Sequence, residues 1–329
     1  MHVSVPLWFK TMLSEFDIIA RYFSPATSHT VLAGGDDAAL VALRPGMELV
    51  VSTDMLVAGR HFYEDAPAYD VGYKSLAVNL SDMAAMGAAP RWATLSLALP
   101  AADEAWLDAF ARGFLDLARL HDVDLIGGDT TRGPLNICVQ ILGEAPAGKA
   151  LRRSGARPGD DVWVSGALGD AAAALAHRRG ELELRGADLA TALERLQRPQ
   201  ARVALGQALI GMASSAIDVS DGLVADLGHI AERSGASGVI EWMRVPVSSA
   251  LDQRRDEPLA QRCALAGGDD YELCFTAAPA SRAGLDQLAA RLGLPLTRIG
   301  RMEAGRGVLV LGASGAPLDL GDGGFDHFR

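Results

Sequence analysis

Strand-like and helix-like patterns alternate along residues 48–143, and this alternation restricts the fold more than any other feature of the chain. Apolar and β-branched runs predict strands at "ELVVST", at "RWATLSLAL" and near residues 123–126 and 135–143. The stretch "DVGYKSLAVNLSDMAAMG" and residues 103–121 have the apolar spacing of helices. We therefore expect an α/β unit in the first half of the chain.

The length and the turn composition predict a second domain. The chain has 329 residues, of which 49% are hydrophobic, more than one ordinary core requires. After the turn-rich segment "GEAPAGKALRRSGARPGD", further strands are predicted at 161–165, 215–219, 237–241 and 271–276, and helices within 167–213. We expect a disordered extension over residues 1–13, an N-terminal domain over 14–148 and a C-terminal domain over 149–329.

Charge and hydropathy exclude two classes of partner. Acidic residues outnumber basic ones 41 to 30 and the net charge is −11, which argues against binding to a nucleic-acid backbone. No apolar stretch reaches the roughly 18 residues of a membrane span, and the start lacks a secretory signal. The three cysteines form no C-x-x-C pair. We expect a soluble, cytoplasmic protein.

Acidic residues recur on glycine-rich turns. Gly-Gly-Asp occurs at 34–36, 127–129 and 267–269, and further acids follow or lie near predicted strands at Asp54, at Asp218 and at Asp221. Two carboxylates about 4 Å apart repel by about 4 kcal/mol at an effective dielectric of 20, so a converging cluster needs a cation. Oxygen ligands without paired His or Cys favour Mg²⁺.

Each acid taken singly has an ordinary structural interpretation. Asp after Gly is common at turns, and the segment 218–221 could cap a helix beginning at Gly222. Turn chemistry does not require Gly-Gly-Asp three times, nor Asp82 in the middle of a helix, so the set together favours a metal site. On the same predicted helix, Lys74 either packs towards that site or is a solvated surface lysine.

One phosphate-binding motif is only apparent. "GEAPAGKA", residues 143–150, has the G-x-x-x-x-G-K spacing of a P-loop, but Ala150 stands where the metal-binding Ser or Thr belongs. Gly155 and Pro158 also disfavour the helix that should follow. We interpret this stretch as a linker.

With these motifs the chain resembles the thiamine-monophosphate kinase family, part of the aminoimidazole ribonucleotide synthetase superfamily of ATP-binding proteins. The match runs from Glu15 to Phe328, and the following stretches carry it: "SEFDIIARYF", "GGDDAAL", "VVSTDMLVAGRHF", "YKSLAVNLSDMAAMGA", "GGDTTRG", "RRSGARPGD", "DVSDGL", "GGDDYEL" and "GFDHF". The resemblance implies an N-terminal ATP- and Mg²⁺-binding domain, whose mixed sheet pairs with that of a second subunit in a homodimer, and a C-terminal α+β domain.

The resemblance also implies roles for single residues. Its Mg²⁺ shell, partly through waters, falls on Asp37, Ser52, Thr53, Asp54, Asp82, Asp129, Asp218 and Asp221. Its ATP contacts fall on Gly128, Asp129, Arg153 and Ser220, and its thiamine monophosphate contacts on His61, Asp269 and Phe325. Related sequences commonly carry Glu at the position of Asp269, one methylene longer.

The implied activity is ATP-dependent phosphorylation of thiamine monophosphate to thiamine diphosphate, the last step in making that cofactor. Phosphoryl transfer needs in-line positioning and charge neutralisation rather than a side-chain nucleophile. His61 is either a general base or a positioning residue, and Phe325 either stacks on a cationic ring or packs the C-terminus. Other superfamily members, a two-metal phosphohydrolase and a non-enzymatic metal binder are the alternatives.

Overall fold

The computed structural model describes residues 13–319 as two sheets, a small hairpin and the helices that cover them. The α-helices are α1 (Glu15–Tyr22), α2 (Ala68–Ala85), α3 (Glu104–Leu120), α4 (Asp170–Arg178), α5 (Gly186–Gln197), α6 (Val203–Leu209), α7 (Leu223–Ser234), α8 (Ser249–Asp252), α9 (Pro258–Leu265) and α10 (Arg282–Leu292). The strands are β1 (Thr30–Leu32), β2 (Leu40–Val41), β3 (Met47–Val57), β4 (Ala89–Leu99), β5 (Asp124–Arg132), β6 (Asn136–Pro146), β7 (Asp161–Ser165), β8 (Ser215–Asp218), β9 (Ser237–Glu241), β10 (Leu273–Ala277), β11 (Leu296–Glu303) and β12 (Gly307–Leu311). The predicted extension 1–13 lies outside the described residues except for Leu13.

The N-terminal sheet is mixed and has the strand order β3-β6-β4-β5. Strand β6 pairs antiparallel with β3 and β4, whereas β4 and β5 run parallel. Helices α2 and α3 lie against the sheet and against each other. On the edge strand β3 the side chains alternate, so Leu49, Val51 and Met55 remain 43%, 50% and 54% exposed. One side of this edge strand therefore has no cover within residues 13–319.

Helix α2 is the central element of the fold. It contacts α3 and the first sheet, and also α6 and β8 of the C-terminal half. Its contact with α3 is close because glycines face each helix: a Cβ on Gly72 would lie 2.1 Å from the Phe110 carbonyl oxygen, and one on Gly113 2.0 Å from that of Tyr69. Neighbours on several sides explain why α2 is buried along most of its length.

The C-terminal sheet has six strands in the order β12-β9-β11-β7-β10-β8. All pairs are antiparallel except β12 with β9. Helix α7 packs on this sheet, and α4, α5 and α9 form a separate helical cluster beside it. One hydrophobic core contains Leu76 and Phe110 from the first half together with Phe275 and Leu288 from the second. The two halves therefore share buried apolar surface.

The predicted α/β and α+β architecture is confirmed, with β6 ending at Pro146 and β7 beginning at Asp161. The stretch 167–213, where helices were predicted, contains three of them, α4, α5 and α6. One detail was wrong: Asp54 and Asp129 lie inside β3 and β5 rather than after their ends, because both strands extend beyond the apolar runs. No helix within residues 13–319 is long and apolar enough to cross a bilayer.

Candidate active site

A cavity of about 1130 Å³ lies between the two halves of the molecule. Strand β3, the loop over residues 58–67 and α2 form one wall, and α4, α5 and the turns at 218–221 and 266–271 form the other. The loop is fastened across this cavity by Arg178 of α4, which donates to Asp65 at 2.7 Å and lies 3.6 Å from the ring centroid of Tyr63. Both sequence halves are therefore needed to enclose the cavity.

Three carboxylates from three elements line this cavity: Asp54 from β3, Asp82 from α2 and Asp218 from the end of β8. Ser52 donates to Asp82 at 2.5 Å, and Ser81 donates to Asp218 at 2.7 Å. Ser52 and Asp54 share one face of β3 because side chains two residues apart point the same way. The fold thus concentrates acids that are far apart in sequence.

The pKa values of all three carboxyls are raised, so their ionised forms are disfavoured in the metal-free protein. Burial, followed by the charge of Asp82, raises the pKa of Asp54 to about 7. Burial, followed by the charge of Asp82, also raises the pKa of Asp218 to about 8. Burial also raises the pKa of Asp82, whereas the hydrogen bond from Ser52 and the charge of Arg153 lower it. A bound cation would offset this repulsion and favour the ionised forms.

Two glycine-containing turns, 218–222 and 267–271, dock directly on one another. The Asp269 N–H donates to the Ser220 carbonyl at 2.9 Å, and the Tyr271 N–H to the Val219 carbonyl at 2.8 Å. A Cβ on Gly268 would lie 2.1 Å from the Ser220 carbonyl oxygen, so this approach needs glycine. The two acidic motifs therefore form one structural unit at the cavity.

Asp226 shapes the first of these turns, and the sequence interpretation missed it. Its Oδ2 accepts the N–H groups of Ser220, Asp221 and Gly222 at 3.0, 3.1 and 3.1 Å. Burial, followed by Asp221, raises its pKa to about 7. In the sequence, the signal for this role was an acidic residue in the first turn of the helix that follows Gly222.

Lys74 is buried and lines the cavity, so its interpretation as a solvated helix lysine is wrong. Its Nζ lies 3.1 Å from Asp269 Oδ1 and donates to the His61 carbonyl at 3.3 Å. His61 Nδ1 in turn accepts the Val57 N–H at 3.0 Å. His61 and Asp269, both expected to contact the acceptor, thus lie in one network.

Other predicted site residues lie apart from the three cavity acids Asp54, Asp82 and Asp218. Asp37 is exposed and does not line the cavity, and the side chain of Thr53 is on the exposed side of β3. Asp129 is exposed on β5, which the strand order places three strands from β3, roughly 14 Å at the usual spacing. These assignments stay predictions, and the described residues alone do not bring the whole set together.

The remaining assignments are placed as follows. Asp221 and Ser220 line the cavity, and Arg153 is exposed yet close enough to lower the pKa of Asp82. Gly128 permits close strand pairing, since a Cβ there would lie 1.8 Å from the Leu95 carbonyl oxygen. Phe325 lies outside the described residues.

Residues 143–150, which match the spacing of a P-loop, do not fold as one. Residues 143–146 belong to strand β6, and Lys149 is exposed in the turn that follows. In the part of the chain that the structure describes, no helix begins within residues 147–160. The linker interpretation was therefore wrong for residues 143–146, which pair within the first sheet, and it agrees with the turn at 147–150.

The cavity residues suit a Mg²⁺ ion that is held partly by waters and phosphates. They do not suit an ion that must be held by protein side chains alone. Within residues 13–319, no three His, Cys, Asp or Glu side chains converge closely enough to hold an ion by themselves. Mg²⁺ binds through one or two carboxylates and completes its octahedral shell with waters and substrate phosphates. The oxygen-only donors and the raised carboxyl pKa values suit such an ion.

The class of protein follows from two family models that match in sequence order. The N-terminal domain of AIR synthase related proteins matches residues 35–145, and their C-terminal domain matches residues 157–312. Thiamine-monophosphate kinase from Escherichia coli strain K12 is 48% identical over 318 residues, covering 95% of this chain and 98% of the relative. The chain therefore belongs to the thiamine-monophosphate kinase family within this class.

Solved structures agree with this assignment. The crystal structure of thiamine-monophosphate kinase from Stenotrophomonas maltophilia K279a has a TM-score of 0.82 and 52% identity, covering 86% of this chain and 91% of that one. A complex of AaThiL with AMPPCP and TMP has a TM-score of 0.74 and 33% identity, covering 87% and 89%.

Proposed function

We propose that this chain transfers the γ-phosphoryl group of ATP to thiamine monophosphate, giving thiamine diphosphate. The observation that carries the proposal is the convergence of Asp54, Asp82 and Asp218 in a cavity between two domains, where burial raises the pKa of each carboxyl. The relative that binds AMPPCP, a non-hydrolysable ATP analogue, together with TMP supports both substrates. The family membership supports the reaction.

Oxygen donors of this chain would hold Mg²⁺ and with it the nucleotide. Within the cavity these are Asp54, Asp82, Asp218 and Asp221, with Ser52 beside Asp82. We assign Asp37, Thr53 and Asp129 to the same shell, and Gly128, Asp129, Arg153 and Ser220 to ATP, on family resemblance. Bound Mg²⁺ would neutralise negative charge on the phosphates. Asp226 orients the turn that carries Ser220 and Asp221.

The transfer would be direct and in line. Burial raises the pKa of Cys263 to about 11 and raises that of Cys274 further, so neither thiol is a ready nucleophile. The cavity acids are committed to cations, and a carboxylate so engaged is a poor nucleophile. This chain would instead position two phosphates and neutralise their charge.

The acceptor would occupy the part of the cavity lined by His61 and Asp269. Phe62 and Tyr63 line the cavity beside His61, and the helix side chains Leu175 and Leu196 line the wall that also carries Asp269. Apolar walls beside a few directed polar groups are typical of sites for small heteroaromatic ligands. Phe325 is a further acceptor contact on family resemblance only.

A homodimer is part of the proposal. Leu49, Val51 and Met55 form an exposed apolar row on the 11-residue edge strand β3. Apolar side chains on an unpaired edge are an association site unless they are covered. A second copy would cover this face. Analytical ultracentrifugation should detect a dimer that Val51→Glu dissociates; a monomeric wild type would contradict it.

One assay tests the reaction. Purified protein with ATP and Mg²⁺ should form ADP and thiamine diphosphate in equal amounts only when thiamine monophosphate is present; thiamine without its phosphate is the matched control acceptor. Chromatography separates the products. ATP hydrolysis that does not depend on thiamine monophosphate would favour a two-metal phosphohydrolase instead. A chiral γ-thiophosphate donor should give inversion at phosphorus, whereas retention would indicate a phosphoenzyme.

We also propose the cytoplasm as the compartment, without a nucleic-acid or membrane partner. The net charge of −11 supports the absence of a nucleic-acid partner. Fractionation of cells that express the full chain would test the compartment.

A further inference from the structure

A buried ammonium group joins two segments from different halves of the chain. The side chain of Lys74 on α2 is 4% exposed, and its Nζ lies 3.1 Å from Asp269 Oδ1. The same Nζ donates to the His61 carbonyl in the loop after β3. Lys74 therefore holds the two acceptor-side segments at a fixed separation across the cavity.

Tyr271 contacts the same carboxylate oxygen as Lys74. Its hydroxyl donates to Asp269 Oδ1 at 3.1 Å. Burial, followed by the charges of Asp269, Asp54 and Asp218, raises the pKa of this phenol well above its ordinary value, so it remains a donor. The phenol therefore lies within electrostatic range of Asp54 and Asp218.

Lys74 and Tyr271 both contact Asp269 at Oδ1. Within residues 13–319, Oδ2 accepts no hydrogen bond, while the side chain is 27% exposed and lines the cavity. A carboxylate held through Oδ1 by an ammonium and a phenol keeps Oδ2 as a directed acceptor. Such an oxygen suits N–H donors or a positively charged ring.

The backbone around Asp269 is also specialised. Asp269 and Tyr271 have left-handed φ values of 67° and 51°, rare for residues with a Cβ. The hydrogen bonds to Ser220 and Val219 hold both residues in this conformation. Strained non-glycine backbone persists where surrounding contacts determine it, and it is often found at functional sites.

We propose that Lys74 and Tyr271 are positioning residues for the phosphoryl acceptor, because they orient Asp269 so that its Oδ2 faces the acceptor. Lys74 additionally holds the His61 segment against this carboxylate. The inference rests on the proposed kinase function and deepens it, since it identifies what fixes the acceptor rather than what activates ATP.

Steady-state kinetics of four variants test this role: Lys74→Met, Tyr271→Phe, Asp269→Asn and the double variant Lys74→Met/Asp269→Asn. Each single variant should raise the acceptor KM about 10-fold, the size of a lost charge-assisted contact, with the ATP KM within about twofold. The acceptor KM of the double variant should be no more than about twofold above that of Asp269→Asn, because Lys74 acts through Asp269.

Matched controls lie on the same molecule. Lys149→Met removes an exposed lysine outside the cavity, and Tyr69→Phe removes a hydroxyl that donates to Asp116 at 3.2 Å away from it. Both should keep the wild-type acceptor KM. Multiplicative losses in the double variant would overturn the proposal, because Lys74 would then contact the acceptor independently of Asp269. Equal increases in both KM values would also overturn it.

The outcomes separate this inference from the function on which it rests. A wild-type protein without acceptor-dependent ATP turnover contradicts the kinase proposal. An active wild type whose Lys74 and Tyr271 variants keep the wild-type acceptor KM contradicts only the positioning role. If Lys74→Met does not fold by thermal melting, Tyr271→Phe decides, and an unchanged acceptor KM in that variant overturns the inference.

Discussion

The same four letters, Gly-Gly-Asp-Asp, occur at residues 34–37 and 267–270, yet the two copies lie in opposite environments. The first is exposed, and neither of its aspartates forms a side-chain hydrogen bond or ion pair with the described residues. In the second, Asp269 pairs with Lys74, and both oxygens of Asp270 accept the Gly169 N–H at 2.9 Å. Only the second copy is part of the packed fold.

This difference shows that a turn motif specifies local backbone freedom but not its chemistry. The second copy is part of the candidate active site because it docks on the 218–222 turn and contacts α2 and the start of α4. The first copy has no comparable neighbours in the described residues, so its assigned role depends on groups that bind to it.

The largest effect is expected from adding one methyl group to each copy. In Gly268→Ala the new Cβ would meet the Ser220 carbonyl oxygen at 2.1 Å, so we expect about 3 kcal/mol of destabilisation from overpacking. In Gly34→Ala the nearest atom is the Ile126 carbonyl oxygen at 3.8 Å, an ordinary contact. Urea unfolding of both variants measures the difference, and equal midpoints would show that the docked turn is not tightly packed.

The second effect is a pH dependence of stability caused by the cavity acids Asp54 and Asp218. Folding raises the pKa of Asp54 to about 7 and that of Asp218 to about 8, from ordinary values near 4. The metal-free folded protein therefore keeps protons that the unfolded chain releases, so its free energy of unfolding falls as pH rises from about 4 to about 8. We expect the metal-free protein to be most stable near pH 4 and to lose stability progressively towards pH 8.

Thermal or urea unfolding in chelator across this pH range measures the loss. The double variant Asp54→Asn/Asp218→Asn should have a flatter profile, because it cannot release these protons. A wild-type profile that rises with pH over this range would contradict the raised pKa values.

The smallest effect compares the second aspartate of each copy. Asp270→Ala removes the acceptor for the N–H of Gly169 at the start of α4, which should cost about 1 kcal/mol. Asp37→Ala removes an exposed side chain and should change the metal-free stability by less than about 0.5 kcal/mol. Chemical denaturation without metal measures both, and the reverse order would contradict the assigned environments.

Much of the fold could be predicted from periodicity. The helical spacing in residues 70–87 and 103–121 and the β-like runs beside them correspond to α2, α3 and β3 to β6. The apolar runs of the second half correspond to β7 to β10. Strands β11 and β12 were not predicted. "LTRIGRME" lacks a long alternating pattern, whereas "GVLVL" is a short apolar run that the sequence interpretation missed.

The candidate site was predictable in composition but not in arrangement. Sequence motifs identified Asp54, Asp82 and Asp218, whose convergence depends on α2 packing against both halves. Asp226 and Tyr271 were missed because their roles arise from backbone and side-chain contacts that no local motif specifies. The separation of Asp129 from these acids was hidden for a similar reason, since strand order is a tertiary property.

The central claim is that the cavity acids serve a bound cation and phosphates rather than the fold. Its most direct test is Asp54→Asn, measured for acceptor-dependent ATP turnover and for melting temperature at pH 8 in chelator, beside Asp108→Asn, an exposed acid on α3. Turnover should fall about 100-fold or more in Asp54→Asn, as expected when one group that organises transition-state charge is lost, while the melting temperature holds or rises. Undiminished turnover, or a large fall in melting temperature without metal, would contradict the claim.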